Sequence, residues 1–174
     1  MNYLYSQLVG LPVGSLEDKA KVGTVDDIVI DPDDGSVLGL IIKKNIFDMN
    51  QHAISWQDIR EIDKNGVVVL SSEVILPIEE VVRIKELQKK DFNMIGLPVE
   101  TRDGYRIGAV YDFEINPNSG TLAKIYTHRL LSNNRIISRS NIIEIKFDKI
   151  IIRADAIKKV LTEVEKVAEA ETAI

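Results

Sequence analysis

The chain has no cysteine among its 174 residues, so disulfides and thiolate metal sites are excluded. No stretch approaches the roughly 18 consecutive apolar residues that a bilayer-spanning helix needs. The opening Met1–Ser6 lacks a basic region followed by an apolar core. No signal peptide is read there, and the expected location is cytoplasmic. No glycine-rich phosphate loop is present, and no Ser/His/Asp set falls in a strand–turn–helix context. An enzyme is therefore not expected, and no cofactor is implied. What remains, 45% hydrophobic and 28% charged residues, is the balance of an ordinary globular protein.

The positive signal is a duplication. Gly10-Leu11-Pro12-Val13 returns as Gly96-Leu97-Pro98-Val99. Each is followed by a polar turn, then Val22-Gly23 or Ile107-Gly108, then an alternating stretch through Val25, Asp27 and Ile30 or Val110, Asp112 and Ile115. Each copy next makes a turn, Asp31-Pro32-Asp33-Asp34-Gly35 or Asn116-Pro117-Asn118-Ser119-Gly120. Ile54-Ser55 before Ile59–Ile62 matches Ile137-Ser138 before Ile142–Ile145, and Val67–Val69 matches Ile150–Ile152. A period of roughly 85 residues is too long for a solenoid repeat and suits two small duplicated domains. The copies differ in charge: Gly10–Glu73 carries 6 Lys and Arg against 12 Asp and Glu, and Gly96–Ala154 carries 9 against 6.

Alternation of apolar residues predicts strands over Val25–Ile30, Val37–Ile42, Val110–Ile115 and Leu122–Tyr126. Pro12 predicts a strand start or an edge strand, because it cannot donate to a ladder. Asp103-Gly104 and Asn65-Gly66 predict hairpin turns. Gly23 and Gly108 read as a bulge or a close backbone crossing. Pro77 at a first helical position, acids in the first turn and Lys89-Lys90 in the last predict a linker helix over 77–91. A second helix is predicted from Asp155 to Ala170, striped by Ile157, Val160, Leu161, Val164, Val167 and Ala168. That stripe can cover its own chain or pair with a second copy; the spacing is too short for a coiled coil, which favours its own chain.

The ordered set of Gly-x-Pro-Val, aliphatic-Gly-x-Val, apolar-acid strand, Asp/Asn-Pro-x-x-Gly and Ile-Ser-x-x-x-Ile, written twice, resembles the PRC-barrel family. That family is named for the cytoplasmic domain of the photosynthetic reaction-centre H subunit, and it includes the C-terminal domain of the ribosome-maturation factor RimM. The resemblance implies a mainly β chain of two tandem small barrels, with divisions at 1–76, 77–91, 92–154 and 155–174. It implies binding or assembly without catalysis, and it transfers no site residues.

Site candidates follow from composition and spacing. Asp31, Asp33 and Asp34 invite a calcium reading, but an EF-hand needs Gly sixth and Glu twelfth, where this chain has Gly35 fifth and Ile42 twelfth. The second copy has Asn116, Asn118 and Ser119 there, so turn chemistry is what the copies share. His52 and His128, the only histidines, stand at non-equivalent places and predict no metal site. Lys124, His128, Arg129, Arg135 and Arg139 gather late in the second copy with Tyr126 between them. An isoelectric point near 5.1 argues against direct nucleic-acid binding, leaving a solvated face or a docking patch for an acidic protein. Trp56 is either half-buried core or a binding hot spot. The expectation is a protein-binding adaptor, at a ribosome or peripherally at a membrane-bound complex. The alternatives are an RNA-associated maturation factor and a small-ligand or metal-binding module, and a homodimer stays open.

Overall fold

Gly10 and Gly96 adopt φ of +91° and +89°, a left-handed conformation that a side chain would make costly. Each closes a small turn, with Leu11 N–H donating to Leu8 O at 3.1 Å and Leu97 N–H to Met94 O at 3.4 Å. Each then donates its own N–H to the next strand, Gly10 to Val25 O and Gly96 to Val110 O, both at 2.8 Å. Val25 and Val110 return the bond to Leu11 O and Leu97 O at 2.9 and 3.0 Å. The repeated Gly-Leu-Pro-Val is thus a corner that turns the chain into a strand and fastens it to the following one.

The computed structural model describes residues 1–44, 50–129 and 132–154, and the chain is mainly β. The first strands are β1 (Tyr3–Leu4), β2 (Pro12–Ser15), β3 (Ala20–Ile30), β4 (Val37–Lys43), β5 (His52–Ser55), β6 (Ile59–Ile62), β7 (Val67–Val69) and β8 (Leu76–Pro77). They are followed by β9 (Pro98–Thr101), β10 (Arg106–Asn116), β11 (Thr121–Arg129), β12 (Ser132–Ser138), β13 (Ile142–Ile145) and β14 (Ile150–Ile152). A short helix α1 (Tyr5–Leu8) follows β1, and α2 (Val82–Lys89) follows β8.

One sheet has the order β6-β7-β2-β3-β4-β5-β8, and the other has β13-β14-β9-β10-β11-β12, with β1 also paired to β10. Six strands run in the same order in both, and the parallel pairs β2–β7 and β9–β14 hold equivalent places. Two compact units divide the chain: Met1–Asn93 with Phe113–Ala123, and Met94–Asp112 with Lys124–Ile174.

In the first unit β2 is an interior strand, with Pro12 as its first residue opposite Thr24. Of the two readings of that proline, the strand start holds. Val37–Ile42 is an apolar run because β4 is covered on both sides. One side joins an interior of Val13, Val25, Leu40, Ile42, Ile54 and Val67, all buried. On the other, Val29, Ile41 and Ala53 pack with Ile78, Ile84 and Leu87. Ile84 and Leu87 come from α2, and burying each contributes roughly 1.5–3 kcal/mol before ordering costs.

The helix begins later than Pro77 suggests. Pro77 is extended and pairs with His52, and Ile78 N–H donates to Gln51 O at 3.0 Å, so a 3₁₀ turn over Ile78–Glu80 precedes α2. Competition from the β5 edge overrides the local helix-start signal.

The second unit buries Val99, Ile107, Val110, Ile125, Ile137, Ile142, Ile150 and Ile152. Its Asp103-Gly104 turn is closed by Gly104 N–H to Thr101 O and Thr101 N–H to Tyr105 O, both at 2.9 Å. The helix expected from 155 to 170 lies outside the described residues. No helix among the described residues is long and apolar enough to cross a membrane.

Close crossings make two strand glycines structural. A Cβ on Gly23 would stand 2.4 Å from Ile42 Cγ2; on Gly39 it would stand 2.1 Å from Ile54 O and 3.2 Å from Ile84 Cδ1. The Gly39 neighbour is backbone and cannot rotate away, so Gly39→Ala should lower stability by about 3 kcal/mol in urea unfolding. Gly14→Ala is the control, since nothing lies within 4 Å of its Cβ position. A Gly39→Ala midpoint equal to that of Gly14→Ala would show that β4 does not approach β5 and α2 this closely.

Candidate docking surface

The two turns after β3 and β10 share a backbone scaffold and differ in chemistry. Gly35 and Gly120, at φ of +81° and +61°, donate back to Asp31 O and Asn116 O at 2.8 and 2.9 Å. Asp31 Oδ1 accepts Asp33 N–H at 3.0 Å, and Asn116 Oδ1 accepts Asn118 N–H at the same distance. Only the first turn has carboxylates, and Arg83 of α2 uses them. Its Nε donates to Asp31 Oδ2 at 2.9 Å, and its Nη2 to Asp31 Oδ1 at 2.8 Å and Asp33 Oδ2 at 2.5 Å. The Arg83 hydrogen bonds hold the Asp31 carboxyl below its ordinary range against the opposing effect of burial, and the pair raises Arg83 in turn. Among the described residues, no three or more His, Cys, Asp or Glu side chains are grouped to hold a metal ion.

Within the first unit the two turns also bond to each other. Val37 N–H donates to Gly120 O and Leu122 N–H to Gly35 O, both at 2.8 Å, around a Ser36–Thr121 bridge. The partners are equivalent positions of the repeat, exchanged. Trp56 caps this junction: a Cβ on Gly120 would lie 2.6 Å from its Nε1 and 2.8 Å from Cδ1. Trp56 is half-buried on a cleft of ≈ 320 Å³ lined also by Tyr3, Ile59, Ile62 and Pro117. Tyr3 is tied down by its hydroxyl donating to Ile62 O at 2.9 Å and by the β1–β10 register at Ile115.

The other six candidates belong to the second unit, and the structure divides them. Lys124, Tyr126 and His128 share one face of β11, and Tyr111 of β10 meets Tyr126 and His128 edge-on at ring distances of 6.3 and 5.8 Å. Ile136, directly across from Tyr126, extends this face and is 50% exposed, and Tyr111 is 41% exposed. Arg129 ends the β11 backbone, paired with Ser132. Arg135 stands across from Thr127, on the opposite, buried side of the strand pair. Arg139 opens the 3₁₀ turn equivalent to that of Trp56, and its Nη1 donates to Ile142 O at 3.3 Å. The candidate face is therefore Lys124, Tyr126 and His128 joined by Tyr111 and Ile136, the last two of which sequence reasoning missed. Alternation along β10 marks Tyr111 only once its pairing register is known.

The two copies treat this face differently. In the first, Gly39, Ile41 and Ala53 lie under α2. Their counterparts are Lys124, Tyr126 and Ile136, matched by the same pairings: Gly39 with Ser55 and Ile41 with Ala53, Lys124 with Ser138 and Tyr126 with Ile136. A helix cannot sit on Lys124 as closely as Ile84 sits on Gly39.

Two sheets that repeat one strand order, each with a parallel pair at the same place, define a class of small β-domain. The family comparison gives it its name: the PRC-barrel domain matches residues 1–90 of the chain. The chain belongs to the PRC-barrel family. No curated protein matches it.

The Arg83 clamp yields a pH signature. Asp31 is depressed in the folded protein, so the clamp's stability is fully present above 3.8, the ordinary value, and is lost as pH falls through the folded value. Arg83→Met should lower the melting temperature by a few degrees at pH 7, and the gap to wild type should close on acidification below that value. A gap that stays constant down to pH 2 would remove the clamp from the account.

Proposed function

We propose that the chain is a non-catalytic adaptor of two PRC barrels in tandem, working in the cytoplasm and holding a protein partner on the face of Lys124, Tyr126, His128, Tyr111 and Ile136. The repeated strand order and the matching parallel pairs support the tandem reading. The observation that carries the docking reading is that this face stays exposed where the first copy covers the equivalent one with α2. An exposed tyrosine and a partly buried one beside an exposed aliphatic residue, with a lysine and a histidine alongside, are the composition of a protein hot spot. The charge fits an acidic partner surface, since the second copy has more basic than acidic residues although the chain as a whole is acidic.

The test separates a protein partner from RNA. Full-length protein on a support, exposed to native lysate, should retain a discrete protein at high salt, and Tyr126→Asp or Ile136→Asp should reduce that retention at least tenfold. Apolar docking survives screening, whereas phosphate contacts weaken steeply with salt. Undiminished retention by both variants, or capture of RNA that falls away with salt, would overturn the adaptor reading in favour of a maturation factor.

A further inference from the structure

Thr127 and Arg135 face each other across β11 and β12, and their pairing is followed at once by a register shift between Thr127 and Arg129. Thr127 is 1% exposed, and its Oγ1 is buried without a hydrogen-bond partner. The Nη1 of Arg135 is likewise buried and unpartnered. In the first copy the same cross-strand position pairs Ile42 with His52. Nothing is left wanting there: Ile42 has no polar side-chain atom, and His52 Nδ1 lies 3.2 Å from Asn50 O. The second copy therefore has a hydroxyl and a guanidinium where the first has an aliphatic and a satisfied imidazole.

Leaving such groups dry and unpaired is costly, most of all for a charged donor. Protein ladders do not retain two of them side by side without something to bond. A guanidinium fork with a neighbouring hydroxyl is a donor set with no acceptor of its own charge type, and it matches an oxyanion. The place can be reached from the sheet edge, because Arg135 is only partly buried and β12 is the last strand of its sheet. The register shift disrupts the ladder just beyond this pair.

We propose that Thr127 and Arg135 form a binding site for a small oxyanion, a carboxylate or a phosphate, entering from the β12 edge. The Arg135 guanidinium neutralises and orients the anion, and the Thr127 hydroxyl donates a further hydrogen bond. This site lies on the side of the strands opposite the docking face, so its test is independent of the adaptor reading.

The experiment titrates full-length protein with sodium phosphate and, separately, sodium acetate, against sodium chloride at matched ionic strength. It follows the melting temperature and the Thr127 and Arg135 amide resonances. A specific anion gives a saturating rise in melting temperature, whereas general salting gives a linear one. The expected result is saturation by one of the two anions, with both amides shifting along the same curve. Arg135→Met should weaken binding at least tenfold, and Arg135→Lys by less. Thr127→Val, which removes the unpaired hydroxyl at nearly constant volume, should weaken binding several-fold and leave the ligand-free protein at least as stable. Linear responses equal to chloride for both anions, or saturation unchanged in Thr127→Val and Arg135→Met, would overturn the proposal. Should Arg135→Met fail to fold, the wild-type resonances and Thr127→Val decide it.

Discussion

Two backbone hydrogen bonds, Val37 N–H to Gly120 O and Leu122 N–H to Gly35 O, join the turn of one copy to the turn of the other. Much of the first unit depends on them. Each neutral bond contributes about 0.5–1.5 kcal/mol net, and more is lost if a group is left buried and unpaired. Both turns must end in glycine at positive φ for the carbonyls of Gly35 and Gly120 to be presented in this way. The missing side chain of Gly120 then admits Trp56, and the strand leading to the turn accepts β1 at Glu114 and Ile115. Tyr5 stacks on Phe113 of the same stretch at 5.0 Å. These contacts make Phe113–Ala123 part of the first unit although it is written in the second copy.

The two halves of the sequence repeat differ in what they place on the equivalent face. The first copy supplies a helix, a glycine to receive it and an arginine that clamps the helix to the turn. The second has Asn for Asp in the turn, Lys for Gly on the strand, and tyrosine where isoleucine was covered. Each change removes one requirement for a covering helix. The acid balance of the first copy and the basic balance of the second follow the same division, since Asp31 and Asp33 have an arginine to meet and their counterparts do not.

The repeat was legible because it is carried by local devices: the positive-φ corner at Gly10 and Gly96, the Asx turn at Asp31 and Asn116, and the Asp-Gly and Asn-Gly hairpins. Those need only nearby residues. The start of α2 was not, because it is set by Pro77 pairing with His52, a partner 25 positions away. The basic cluster was legible as a composition and not as a surface. Alternation gives the two sides of a strand but not its register against a neighbour, and Arg135 is set opposite Thr127, on the other side from Tyr126 and His128. Arg135 thus reads as a neighbour of Lys124 in the sequence and stands on the other face in the fold. The Trp56–Gly120 contact has no local signature, as it joins two turns more than sixty residues apart.

Native-state hydrogen exchange tests the turn junction most directly, since amides that open together share an opening free energy. Val37 and Leu122 should exchange with the same free energy of opening, matching that of Val25 in the first unit. Gly120→Val, which collides with Trp56, should lower protection at both together. If Leu122 instead exchanges with Ile125, and Gly120→Val leaves Val37 unchanged, the two turns are not joined and the account built on their pairing fails.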